Sequence, residues 1–211
     1  MFDHHEEDDA GSAELSPLMH AIVPKLALCR IREYDPEDLE ACVEVYRSNE
    51  PDLLPAEGLD SFTAFLEGGT SYMLVIEHAG DVIGFGGLEL VGDSDTALLR
   101  HGMIHREYHR RGFGTTLLAA RIALLETDER PLELWMGAPP DSVPFYGRFG
   151  FKLERVHPGA TGGGAGHTAM FSLMIEPQDI LDVRDALEER EIRIELDEET
   201  DAEDALDEDG E

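Results

Sequence analysis

The residues with the clearest chemical potential lie between His105 and Thr116. Arg106, Arg110 and Arg111 fall within six residues, and Gly112 and Gly114 follow directly. The chain as a whole is acidic: 16 Lys and Arg against 47 Asp and Glu give a formal −31, and only Lys25 and Lys152 are lysines. Three arginines at one point of such a chain concentrate its positive charge there. Glycine lets backbone approach an anion closely, and a helix start aims unpaired N–H groups at it. Thr115 and Thr116 add a cap or hydroxyl donors. These are the ingredients of a phosphate site; the plainer alternative is an arginine-rich surface loop whose glycines serve only the turn.

Spacing excludes two familiar phosphate loops. A P-loop needs four residues between its glycines and then Gly-Lys, which is absent here. The dinucleotide fingerprint needs Gly-x-Gly-x-x-Gly, and Leu117 occupies the third glycine position.

The elements that must position this loop can be read from the flanking patterns. Leu26, Leu28 and Arg30 to Arg32 predict a first strand, and Asp35-Pro36-Glu37-Asp38 a helix start with an N-cap Asp, Pro at the first position and acids on the positive dipole end. Leu39, Cys42, Val43 and Tyr46 continue that helix. Leu59 to Leu66 predicts a second, ended by Gly68-Gly69. Tyr72–Ile76 and Val82–Leu90 read as a hairpin, and Ala97–Ile104 as the strand feeding the loop. Thr115–Glu126 then reads as a long apolar helix, Leu132–Met136 as a strand, Ser142–Phe149 as a short helix, and Phe151–Val156 and Thr168–Ile175 as two closing strands. The order βααβββαβαββ implies a mixed α/β sheet flanked by helices.

Glu107-Tyr108-His109-Arg110-Arg111-Gly112-Phe113-Gly114-Thr115, after a strand and opening a helix, resembles the acetyl-CoA pyrophosphate loop of the GNAT superfamily of N-acetyltransferases. That family's pattern is Arg or Gln, two residues, Gly, one residue, then Gly or Ala. Gly112 and Gly114 match; His109 departs at the first position. Downstream, Phe145-Tyr146-Gly147-Arg148-Phe149-Gly150-Phe151 resembles the family's Phe-Tyr-x-x-x-Gly-Phe. Both motifs stand in the family's order, within residues 25–176.

The resemblance implies a mostly antiparallel sheet whose Ala97–Ile104 and Leu132–Met136 strands splay apart, with the pantetheine arm of acetyl-CoA in the gap. It assigns the cofactor to Met103, Ile104, His105 and Arg106 and to Arg110, Arg111, Gly112, Phe113, Gly114, Thr115 and Thr116. It makes Tyr146 the general acid for the leaving thiolate in direct acetyl transfer to a primary amine. It names no base: Leu98 stands where some members carry a strand glutamate, and Pro139 where many carry an Asn. Glu89, Arg100 and His101 are nearby in sequence. A second reading is an acyl-CoA-binding regulatory module with little catalytic activity. The acceptor is a small-molecule or peptide amine, selected by residues about 49–66 and by the Gly-rich loop His157–His167.

Composition bounds the remaining classes. Apolar residues at 42% support a folded core. The charge opposes nucleic-acid binding, no apolar run is long enough to cross a bilayer, and Cys29 and Cys42 make no disulfide framework. The expectation is a cytoplasmic monomer or homodimer with no metal, solvated for a salt-rich (halophilic) cytoplasm. Residues 1–24 are expected as a flexible acidic arm and 25–176 as the catalytic domain. Residues 177–211, with 17 acids against three arginines, read as an acidic extension with one helix and a disordered tail.

Overall fold

A computed structural model describes residues 15–69, 72–92, 94–126, 130–158 and 167–196. The acidic segments 1–14 and 197–211 and most of the Gly-rich loop lie outside the described residues.

Eight strands form one mixed sheet: β1 (Arg30–Glu33), β2 (Tyr72–His78), β3 (Asp81–Leu90), β4 (Thr96–Ile104), β5 (Leu132–Ala138), β6 (Lys152–Pro158), β7 (His167–Ile175) and β8 (Ile194–Glu195). Their spatial order is β6-β7-β5-β4-β3-β2-β1-β8. Only β4 with β5 and β1 with β8 run parallel. The helices are α1 (Pro17–Ile22), α2 (Leu39–Ser48), α3 (Leu59–Gly68), α4 (Phe113–Ala123), α5 (Val143–Gly147) and α6 (Pro177–Glu189).

Alternation along β2 shows how the two faces are divided. Leu74 and Ile76 join the core beneath α1, α4 and α6, while Met73 and Val75 join the one beneath α2 and α3. The helix α4 is buried along nearly its whole length, which explains its apolar sequence; only Gly114 among its residues is partly open.

Segments on both sides of residues 25–176 pack into this core. The flexible arm is expected over residues 1–24, yet α1 within that span buries Leu18, Met19 and Ile22. At the other end α6 buries Ile180, Val183, Ala186 and Leu187. Its Arg184 donates to the carbonyls of Ala123 and Leu125, at 2.8 and 2.7 Å, and so satisfies the exposed end of α4. Short apolar spacings inside two acidic stretches were enough to dock both helices.

The parallel pairing that matters most is incomplete. Thr96 to Leu99 of β4 pair with Glu133 to Met136 of β5, and pairing then ceases. Beyond it β4 stays with β3, and Gly137 and Ala138 of β5 stay with β7. A register shift opposite Phe85 to Gly87, with His101 at φ 45°, bends β4 away. The sheet opens there into a V.

Candidate active site

Two clefts enter the V from opposite sides, and Gly102, Met103, Ser142 and Tyr146 border both. The first, about 460 Å³, runs along the start of α4. Met103, Ile104, Arg110, Gly112, Gly114 and Thr115 line it, together with Tyr108, His109 and Arg121. Its described lining holds Lys25, Arg110, Arg121 and Arg148 against one acid, Asp141. In a chain of formal charge −31 this is a cationic cleft.

The loop is shaped by backbone geometry rather than by side chains alone. Gly112 caps α4 at φ +99°, and Arg110 is also left-handed at φ 59°. A Cβ on Gly112 would lie 2.4 Å from the Lys25 carbonyl oxygen, so only glycine fits between α4 and the N-terminal segment. The N–H groups of Thr115 and Thr116 both donate to the Gly112 carbonyl. That leaves Phe113 and Gly114, in the first turn, as the N–H groups with no helical acceptor.

Five of the residues expected on the cofactor do not line the cleft. His105 donates its N–H to Ile83 O at 2.7 Å, completing the β3–β4 ladder. Arg106 pairs with Asp52, and its N–H donates to Ser48 Oγ at 3.1 Å. The Arg111 guanidinium stacks on Tyr108 and Phe113, 5.0 and 5.7 Å from their centroids. Phe113 itself is buried between His78 and Tyr108. Thr116 Oγ1 accepts from Ala27 N–H at 2.8 Å and donates to Ala27 O, tying α4 to the N-terminal segment. The resemblance assigned these residues to the cofactor; in the fold their side chains or N–H groups are engaged by protein neighbours.

His109, the departure from the family pattern, bonds through Nε2 to Ile104 O at 2.7 Å, and the buried Asn49 donates Nδ2 to the same oxygen at 3.1 Å. Together they fold the loop back on the strand end and fix α2 against it. The only sequence signal for Asn49 was a polar residue at a helix terminus.

Tyr146, on α5, is buried among Phe145, Phe151 and Phe171 and lies where the two clefts meet. Burial pushes its phenol above the ordinary value near 10, and the Arg121 cation pulls it partly back. Arg121 is itself only 2% exposed on the apolar helix α4. Its Nε donates to Leu117 O at 3.2 Å, and one terminal nitrogen has no partner among the described residues. Gly86 and Gly102 make its slot: a Cβ at Gly102 would lie 2.9 Å from the guanidinium. An unpaired core arginine was invisible in the sequence, where Thr115–Glu126 reads simply as a long apolar helix.

The second cleft, about 510 Å³, lies between α3 and the ends of β4, β5 and β7. His101 faces it, packed between Phe62 and Phe65, and burial lowers its imidazole to about 4. It is therefore neutral at pH 7 but a weak base, not the near-neutral titrating group its type suggested. Glu89 does not line the cleft and lies 3.5 Å from Arg100. Leu98 pairs with Trp135 in the sheet, and Pro139 lines the cleft. Among the described residues no three His, Cys, Asp or Glu could hold a metal, and no helix is long and apolar enough to cross a membrane.

Residues 69–153, which carry Tyr146 and nearly all of the cationic cleft, match the family model described as an acetyltransferase (GNAT) domain. No curated protein sequence matches the chain. Among solved structures it is similar to the ribosomal-protein-S18-alanine N-acetyltransferase of Escherichia coli, at 20% identity, TM-score 0.56, covering 71% of this chain and 95% of that one. Ard1 of Thermoplasma volcanium is 18% identical, TM-score 0.55, over 71% and 99% of the two chains. YncA of Salmonella typhimurium, solved with its cofactor acetyl-CoA, is 18% identical, TM-score 0.52, over 71% and 95%. At such identities the likeness is one of fold, and it extends to the open mixed sheet and its flanking helices.

Proposed function

We propose that the chain is an acetyl-CoA-dependent N-acetyltransferase that passes the acetyl group directly to a primary amine, with Tyr146 as general acid. The observation that carries this reading is the meeting of a cationic cleft and an apolar cleft at one buried phenol. Lys25, Arg110 and Arg148 supply charge for a diphosphate, and the first turn of α4 supplies N–H donors. The unpaired end of β4, from Arg100 onward, offers a strand edge on which an extended amide-bearing arm can pair.

Acetyl-CoA supplies an activated acyl group on a thiol leaving group. The amine nitrogen enters from the second cleft, its bond to the acyl carbon forms, and the carbon–sulfur bond breaks. Tyr146, protonated at neutral pH, gives its proton to sulfur, and the amine loses one, so the protons balance. Tyr146→Phe is expected to lower turnover by roughly tenfold or more with little change in acetyl-CoA affinity. Thiol release with an amine panel and calorimetry of cofactor binding measure the two separately. An unchanged rate removes Tyr146 from the mechanism.

One observation favours a second reading. No carboxylate lines the second cleft among the described residues, and His101 is a weak base. A regulatory acyl-CoA-binding module fits that arrangement, and it predicts cofactor uptake without thiol release for any amine. The cytoplasmic, salt-adapted setting belongs to the same proposal, supported by the −31 charge.

A further inference from the structure

Among the described residues no carboxylate lines the acceptor cleft, in a chain that carries 47 of them. Its described wall contains the rings of Tyr46, Phe62 and Phe65 and the thioethers of Met103, Met136 and Met170. Phe62 is sandwiched, stacked on Tyr46 at 5.2 Å and on Phe85 at 4.9 Å, so neither of its faces is open to a cation. The Arg100 guanidinium lies 5.5 Å from the Phe65 centroid and is the permanent charge on this wall.

These features act together on an incoming amine. The acidic surface attracts cations in general, but inside the cleft a second ammonium would shed water with no carboxylate to replace it. It would also approach Arg100, whose charge the Glu89 carboxylate, 3.5 Å away and outside the cleft, offsets in part. An aryl or branched alkyl group, by contrast, loses contact with water and gains rings and sulfurs.

Resting on the acetyltransferase reading above, we propose that the acceptor is a monoamine carried on an aromatic or branched-aliphatic body. Polyamines and lysine-rich peptides are discriminated against in the cleft, in spite of the chain's overall charge. The reaction consumes one amine N–H and the thioester and yields an N-acetyl amide and free thiol.

Initial rates with phenethylamine, isoamylamine, spermidine and a lysine-rich peptide at saturating acetyl-CoA test the order. Calorimetry of N-acetylphenethylamine and N-acetylspermidine, without cofactor, tests the cleft independently of turnover. Phenethylamine and isoamylamine should exceed spermidine and the peptide in kcat/KM by roughly tenfold or more. N-acetylphenethylamine should bind in preference to N-acetylspermidine. Phe65 is only partly buried, so Phe65→Leu should fold and weaken the aryl ligands relative to the isoamyl one. Spermidine or the peptide reacting as well as the monoamines overturns the inference, as does binding of neither acetylated amine or of N-acetylspermidine first. Failure of acetyl-CoA uptake counts instead against the acetyltransferase reading, and the order of the two acetylated amines still decides the acceptor.

Discussion

Replacing Arg121 with methionine should make the protein more stable and less active at once. The guanidinium is 2% exposed, forms no ion pair among the described residues, and leaves one nitrogen unpartnered. Removing a buried unpaired charge in favour of an apolar side chain of similar length is neutral or stabilising, by about 1–3 kcal/mol. For a chain of this size each kcal/mol moves the midpoint by about 2–4 °C, so Tm should rise by roughly 2–12 °C. The same substitution removes the one cation that opposes the upward push of burial on Tyr146. A phenol pushed higher is a weaker acid, and turnover should fall by about tenfold. The sign on pH follows. Activity that needs protonated Tyr146 is lost as pH rises through its value, so Arg121→Met should shift that basic limb upward. Differential scanning calorimetry and a pH–rate profile from neutral to strongly alkaline pH provide the readings. A variant that melts earlier, with its basic limb unmoved, would show that Arg121 is simply a brace for the bulge at Gly102.

Gly112→Ala should cost about 3 kcal/mol, from the left-handed backbone and the close Lys25 carbonyl, and lower Tm by roughly 6–12 °C. Gly114→Ala, whose Cβ meets only Phe145 at 3.4 Å and Ile104 at 3.8 Å, should melt within about 2 °C of the parent. Deleting 197–211 should leave cooperative unfolding intact by circular dichroism. Deleting 177–211 should abolish it, because α6 covers α4 and caps it through Arg184. Burial works against the Asp38 carboxylate, but Arg32, at 2.6 and 2.7 Å, and the Asp35 N–H hold it below the usual range. Its contribution is therefore complete at neutral pH and lost as pH falls below about 4; urea midpoints should drop there, and Asp38→Asn should flatten the drop.

The strand and helix order was legible because burial imposes distinct periods. The apolar faces of α2 and α3 and the runs in β2 to β4 follow those periods closely. The Asp35-Pro36 start became a capping box on a 3-10 turn before α2. Boundaries moved where backbone, not side chains, decides: α4 begins at Phe113 because Gly112 takes its left-handed angle. The site was partly legible through Gly112, Gly114 and Tyr146, whose spacing carries meaning without knowledge of neighbours. The scaffold contacts of Thr116, Arg111 and Phe113 were not legible, because a hydroxyl, a guanidinium or a ring can serve either ligand or scaffold and only the tertiary partner decides. Arg121 and the carboxylate-free acceptor wall were not legible at all, since both come from residues far apart in sequence converging on one place.

At one edge of the sheet β1 pairs with β8, that is, Ile31 with Ile194 and Arg32 with Glu195. The β1 edge, early among the described residues, thus waits for residues 194 and 195 before it is covered. Until then α4, whose side chains are destined for the interior, lacks the lid that α6 provides. Nascent or truncated forms should therefore expose a sticky apolar helix, which makes chaperone engagement during synthesis a property of this topology.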